Sequence, residues 1–222
     1  MKIVKNKIKI ITKEAKWTSW AELKAYAEAG RLGEVLKSGD NIPVTLKNGE
    51  GVSFDVGKDE SGKIYFVMHD CLKENKPMND DCTNKGGWEK SDMRRYLNEE
   101  VIELLPDELK KVIKPTKIVQ VWDGKRRETE DKLFLLSRTQ VFGKSVRYEP
   151  TEPNDSLIDI FETQRESVKE CEEVEELEDV YRWWLRSPYS STSYDFCSVS
   201  TDGTVTSLYA SFSCGVAPAF CL

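Results

Sequence analysis

The sequence predicts an α+β domain in which helices pack on small antiparallel sheets, and three observations predict it. Residues 17–37 set Trp20, Leu23, Ala27, Leu32 and Val35-Leu36 at near-helical spacing behind a capping pair, Ser19 and Glu22, as an amphipathic helix requires. Residues 42–46, 52–56 and 64–68 are short β-rich runs divided by Asn48-Gly49 and Ser61-Gly62, which is the punctuation of an antiparallel meander. Near the C-terminus, residues 181–186, 195–200, 204–208 and 216–221 read as strands, with Asp202-Gly203 as a two-residue hairpin turn, so the chain ends in a second small sheet.

The chain of 222 residues is long enough to bury a substantial core, and a single domain over residues 1–222 is expected. Within it, residues 1–70 form an N-terminal subregion of helix and meander. Residues 71–222 form the core, with an acidic insert at 161–180. A net charge of −6 without a basic stripe argues against nucleic acid as a partner, because that affinity rests on clustered Lys and Arg.

Taken in order, residues 1–11 alternate Lys with Ile and Val, which reads as a short strand and lacks the unbroken apolar core of a signal peptide. No stretch reaches the roughly 18 apolar residues of a membrane span. The chain as written therefore reads as cytoplasmic, with display on a virion or cell surface as the open alternative. The first helix is expected to break or bend near Gly30 and Gly33. Gly86-Gly87-Trp88 opens a second helix, with Ser91 or Asp92 near its cap and Met93, Tyr96, Leu97 and Val101 on one face, ending around Leu105-Pro106.

A third helix is expected over 107–114, stopped by Pro115. Residues 118–121 and 133–136 read as strands flanking a polar turn at 123–132, and residues 145–155 read as a loop. In residues 162–179, Val168, Cys171, Val174 and Leu177 recur among many glutamates. That spacing predicts a solvated surface helix. Six cysteines, at 71, 82, 171, 197, 214 and 221, contain no Cys-x-x-Cys pair, and His69 is the only histidine, so no metal site or cofactor is expected. Reduced and mostly buried thiols are the expected state.

Residues 189–214 stand apart in composition. They are built mostly from Ser, Thr, Tyr, Asp, Phe and Cys, with no Lys, Arg, Glu, Gln, Asn or His, although charged residues make up 32% of the chain. Tyr gives a large, stiff, amphipathic contact at low entropic cost, while Ser and Thr add adaptable hydrogen bonds. Such a patch suits binding more than catalysis.

Trp20-Ala21-Glu22-Leu23, Asn84-Lys85-Gly86-Gly87-Trp88, Ser91-Asp92-Met93-Arg94, Trp183 to Pro188 and Gly215 to Leu222 together resemble an uncharacterised bacterial and phage domain family. That resemblance implies a C-type lectin-like fold of the formylglycine-generating-enzyme type, with C-terminal β-hairpins carrying a binding patch. It also implies a variable protein of a diversity-generating retroelement, in which template adenines are randomised so that Asn codons become Ser, Thr, Tyr, Asp, Phe, Cys or Gly. The diversified, ligand-binding positions it implies are Tyr189, Ser190, Ser191, Thr192, Ser193, Tyr194, Asp195, Ser198, Ser200, Ser207, Tyr209, Ser211, Phe212 and Ser213. Val199, Gly203, Val205 and Ala210 would keep the scaffold, and Trp183, Trp184 and Phe220 would be core. The expected ligand is a protein or a surface glycan. Self-association through the aromatic patch stays open.

Other signals carry less. Glu152-Pro153-Asn154 matches the tripeptide of calcium-dependent lectins, but its companion Trp-Asn-Asp is absent and a Pro between polar residues is an ordinary loop. Cys197, Cys214 and Cys221 are the C-terminal thiols that a formylglycine-type oxidase would draw on, and nothing in the sequence sets two of them at one cleft. Arg186 reads as scaffold, and His69 beside Asp70 and Cys71 as incidental. No catalytic residue is assigned. The alternatives to a diversified receptor are a fixed protein-interaction domain and that oxidase.

Overall fold

A computed structural model describes residues 17–144, 151–175, 177 and 180–222. The strand expected at 1–11 and the loop residues 145–150 lie outside the described residues. Helix α1 spans Trp20–Glu28, shorter than the expected 17–37. Gly30 ends it at φ +68°, where its N–H bonds Ala27 O and that of Arg31 bonds Tyr26 O, a left-handed stop that glycine takes without steric cost. At the other end the Ser19 hydroxyl accepts from Glu22 N–H at 3.2 Å. The Glu22 carboxylate reaches one residue further back than expected, accepting from Thr18 N–H at 2.8 Å.

The meander forms as its turns predict. Strands β1 (Asn41–Thr45), β2 (Gly51–Lys58) and β3 (Ile64–Met68) pair antiparallel, with Gly49 and Gly62 in positive φ at the turns. The expected second helix is several pieces: α2 (Gly87–Lys90), α3 (Asp92–Tyr96), a π-helical turn over Leu97–Val101 and α4 (Ile102–Leu104). Ser91 makes the first break in extended conformation and caps α3 by accepting from Arg94 N–H. Helix α5 follows over Asp107–Val112.

Residues 123–132 are not a polar turn. Strands β4 (Thr116–Trp122) and β5 (Lys125–Asp131) form a hairpin around Asp123 and Gly124, both at positive φ, the geometry of a two-residue primed turn. Residues 133–136 are buried but outside any strand, held to the rest of the fold by the Phe134–Ala219 bridge and by bonds from Arg186 and Asn98 to their carbonyls. Helix α6 (Arg138–Phe142), absent from the sequence-based expectation, starts at a full capping box between Ser137 and Gln140.

Among its described residues the acidic insert is likewise not an α-helix. It runs through short 3-10 turns at Asp159–Phe161 and Gln164–Ser167 and then without regular structure to a Glu173–Tyr181 bridge. Long-range ties outcompete the local pattern: Cys171 is disulfide-bonded to Cys71, Lys169 Nζ donates to the carbonyls of Met68 and His69, and Val174 is fully buried. The disulfide also corrects the expectation of reduced thiols throughout. Of the remaining cysteines, Cys82 is exposed, and Cys197, Cys214 and Cys221 are buried.

Strands β6 (Trp183–Pro188), β7 (Asp195–Val199) and β8 (Val205–Tyr209) form the C-terminal antiparallel sheet, in that spatial order. The last strand leaves it. β9 (Ala219–Phe220) pairs with β3 instead, giving the order β1-β2-β3-β9. Phe220 stacks on Phe66 at 4.9 Å and meets Phe54 and Trp20 edge-on, so the N-terminal sheet is closed by the C-terminal strand. The architecture is α+β, and among the described residues no helix is long and apolar enough to cross a membrane.

Candidate binding surface

The loop between β6 and β7 is clamped from outside its own sheet. Asn84 Nδ2 donates to the carbonyls of Thr192 and Asp195 at 2.9 Å each and to that of Tyr189 at 3.4 Å, while Asn84 N–H donates to Ser193 O at 3.0 Å. Asn84 is itself fixed, since its carbonyl accepts from Trp122 Nε1 at 3.0 Å and from Gly87 N–H. Gly87 permits the approach: at φ +58°, a Cβ there would stand 2.0 Å from Gln120 Oε1. Asn84-Lys85-Gly86-Gly87-Trp88 is therefore a bracket for the loop, a role its sequence does not announce.

On that frame Tyr194 and Tyr209 are 40% and 46% exposed, among the most exposed large apolar side chains. Their rings meet edge to face at 5.3 Å, and Tyr209 meets Phe212 at 5.2 Å in the same manner. Ser190, Ser191 and Ser193 are exposed, and Thr192, Ser200, Ser207, Ser211, Phe212 and Ser213 are half-buried. Tyr189 is also half-buried and packs on the core, and no ring contact joins it to the aromatic trio among the described residues. Thr192 serves the loop itself, its hydroxyl accepting from Asp195 N–H at 3.2 Å.

Two expected surface positions lie inside. Asp195 and Ser198 are buried on β7, the central strand of its sheet, and the acidic insert reaches the turn after that strand, where Ser167 Oγ donates to Gly203 O at 2.7 Å. Among the described residues neither Asp195 Oδ1 nor Ser198 Oγ has a hydrogen-bond partner. Of the residues expected to keep the scaffold, Val199, Gly203 and Ala210 are buried and Val205 half-buried.

Trp183 and Trp184 anchor the sheet by donating to Ser167 O at 2.9 Å and Lys76 O at 2.8 Å. Arg186 is buried and donates to Leu135 O at 2.6 Å, to Gln140 Oε1 at 2.7 Å and to Asp155. It is scaffold. The Glu152 carboxylate of the lectin-like tripeptide faces inward, accepting from Gln120 Nε2 at 2.8 Å and Ser187 Oγ at 2.9 Å. Burial pushes its pKa up, against the pull of Arg186. Among the described residues no three His, Cys, Asp or Glu side chains converge as a metal site.

His69 Nδ1 lies 2.7 Å from Asp55 Oδ2, and its neighbour Cys71 is bonded to Cys171, so the two do not form a nucleophile and base. Burial raises the pKa of the Cys221 thiol, which keeps it protonated and weakly nucleophilic.

A family model described as "Domain of unknown function (DUF6273)" matches residues 62–222. No curated protein and no solved structure matches the chain.

Proposed function

The chain belongs to the DUF6273 family, and we propose that it is a non-catalytic recognition protein of C-type-lectin-like architecture whose C-terminal sheet displays a retroelement-diversified binding surface. The observation that carries the reading is the contiguous Tyr194–Tyr209–Phe212 cluster, in which Tyr194 and Tyr209 are exposed and Phe212 half-buried, beside a loop whose backbone Asn84 holds in place. Rigid aromatic anchors amid small hydroxyl side chains make a paratope-like contact. A loop pinned through carbonyls tolerates exchange of the side chains it displays, which is what diversification demands. The ligand is a protein or a surface glycan.

Supporting the lectin-like reading are the α+β layout, the loop-bearing C-terminal sheet and the buried Trp183 and Trp184 beneath it. Burial of Cys197, Cys214 and Cys221 speaks for binding over thiol oxidation, which needs accessible thiolates. The test is to sequence the coding region across a population of cells or phage and to search its neighbourhood for a near-copy of codons 184–222 beside a reverse transcriptase gene. Substitutions confined to template adenines are expected. A uniform sequence without a template copy leaves a fixed interaction domain.

A further inference from the structure

We propose that the aromatic cluster takes a cation, and that the partner is a protein presenting a lysine or arginine side chain between Tyr194, Tyr209 and Phe212. The inference rests on the patch being the binding surface and names the chemistry of what it binds.

Ring geometry is the first argument. The Tyr194–Tyr209 and Tyr209–Phe212 pairs stand at 74° and 77°, so successive rings meet edge to face and present angled surfaces instead of one flat platform. A flat platform suits the face of a sugar. Angled walls suit a compact cation, which the ring quadrupoles attract.

Asp195 supplies the second. It lies directly opposite Tyr209 in the β7–β8 register, so both side chains leave the same face of the sheet. The residue is 7% exposed. Its Oδ1 has no hydrogen-bond partner among the described residues, and its Oδ2 accepts from Ser207 Oγ at 3.4 Å. A buried carboxylate oxygen left unpaired is costly, and a nearby cation offsets that cost.

The surroundings point the same way. Residues 189–214 contain no lysine or arginine. The adjoining loop is held to the patch by Asn79 N–H on Ala210 O and Asn84 N–H on Ser193 O, both at 3.0 Å, and it brings exposed Asp80 and Asp81 against one lysine, Lys85. Lys76, across the bridge to Cys214, is paired with Glu74 at 2.6 Å. Arg182 donates to Ser207 O at 3.2 Å and forms no ion pair with Asp195 among the described residues. The loop bonded to the patch thus carries two exposed acids against one lysine, with Arg95 of α3 near Asp80 and paired with Asp92, and complementary charge selects a basic partner.

The test is calorimetric titration of the full chain with hexalysine, hexaglutamate and a neutral N-acetylglucosamine hexamer, at low and physiological salt. Hexalysine alone is expected to bind. Tyr209→Leu, which keeps apolar bulk but removes the ring, and Asp195→Asn, which keeps shape but removes charge, are each expected to weaken it about tenfold. If Asp195→Asn does not fold by circular dichroism, the Asp80→Asn/Asp81→Asn double variant replaces it, with a weakening of about threefold expected from rim charges. Failure of hexalysine to bind, or equal binding by Tyr209→Leu, overturns the proposal. Tyr209-dependent binding of the sugar overturns it too while sparing the recognition surface, and an invariant coding sequence removes diversification without touching this result.

Discussion

The side-chain amide of Asn84 donates to the carbonyl of Asp195 at 2.9 Å, across 111 residues of chain, and so fastens the start of β7 to the segment before α2. The same amide holds Thr192 O and Tyr189 O. All these bonds end on backbone, so the loop keeps its course whatever side chains stand at positions 190, 191 and 193.

Replacement of Asn84 by Ala is expected to cost about 2–4 kcal/mol, since it removes buried donors worth about 1 kcal/mol each and leaves carbonyls unpaired. Ser190→Ala, Ser191→Ala and Ser193→Ala, whose side chains are exposed, are expected to stay within about 0.5 kcal/mol of the parent. Urea unfolding followed by tryptophan fluorescence measures both. A cost for the serines equal to that for Asn84 would show that the loop is shaped by its own side chains.

The aromatic trio makes the opposite demand. Tyr194 and Tyr209 are 40% and 46% exposed, so the double change to Ala is expected to cost no more than about 1–2 kcal/mol, mostly the value of the ring pairs, while abolishing ligand binding. Trp184→Ala, in the buried anchor under the same sheet, is expected to cost about 3–5 kcal/mol. Thermal melts of the two variants separate display from core. A larger loss from the tyrosine pair would make the patch a structural element.

Much of this arrangement was legible in the sequence, and its failures have physical causes. Asn48-Gly49, Ser61-Gly62 and Asp202-Gly203 mark turns because glycine accepts positive φ, and all three lie in turns. Asp123-Gly124 is the same dipeptide as the third, yet the hairpin around it was hidden by β5, whose Lys125, Arg126, Arg127, Glu128 and Glu130 lack strand-forming side chains. Only Thr129 and Asp131 of that strand are buried, with Asp131 accepting from Trp88 Nε1 at 2.9 Å and Arg94 Nε at 2.7 Å. The acidic insert misled in the other direction. Its apolar spacing fits a helix, but Cys171 and Lys169 are drawn separately onto the core by partners about a hundred residues away, and Val174 is fully buried. The Tyr and Ser composition of the patch was visible directly. Its clamp was not, because no local pattern connects Asn84 to the carbonyls it holds.

The disulfide offers a count. Six cysteines are present and Cys71 and Cys171 are joined in a disulfide, so unfolded chain prepared without reductant is expected to titrate four thiols, and six after reduction. Because the bond closes a loop of 100 residues, its removal by Cys171→Ser is expected to cost about 2–4 kcal/mol through the greater freedom of the unfolded chain. Six thiols before reduction would place Cys71 and Cys171 among the free ones.

Glu152 gives a pH dependence whose sign follows from its burial. Its carboxyl lies fully inside, where desolvation raises its pKa above the ordinary 4.5 despite Arg186 nearby. In this range the folded chain therefore holds a proton that the unfolded chain has released, so stability contributed by this group falls as pH rises from 4.5 toward the folded value. Glu152→Gln keeps the shape and an acceptor for Gln120 but cannot ionise. Unfolding free energies of parent and variant, measured from pH 4 to pH 8, are expected to diverge steadily in favour of the variant as pH rises, then to run parallel above the folded pKa. Lysines and other carboxylates titrate alike in both proteins and cancel in the difference. A difference constant over the whole range would mean that Arg186 and the Gln120 and Ser187 donors fully offset the desolvation of the carboxylate.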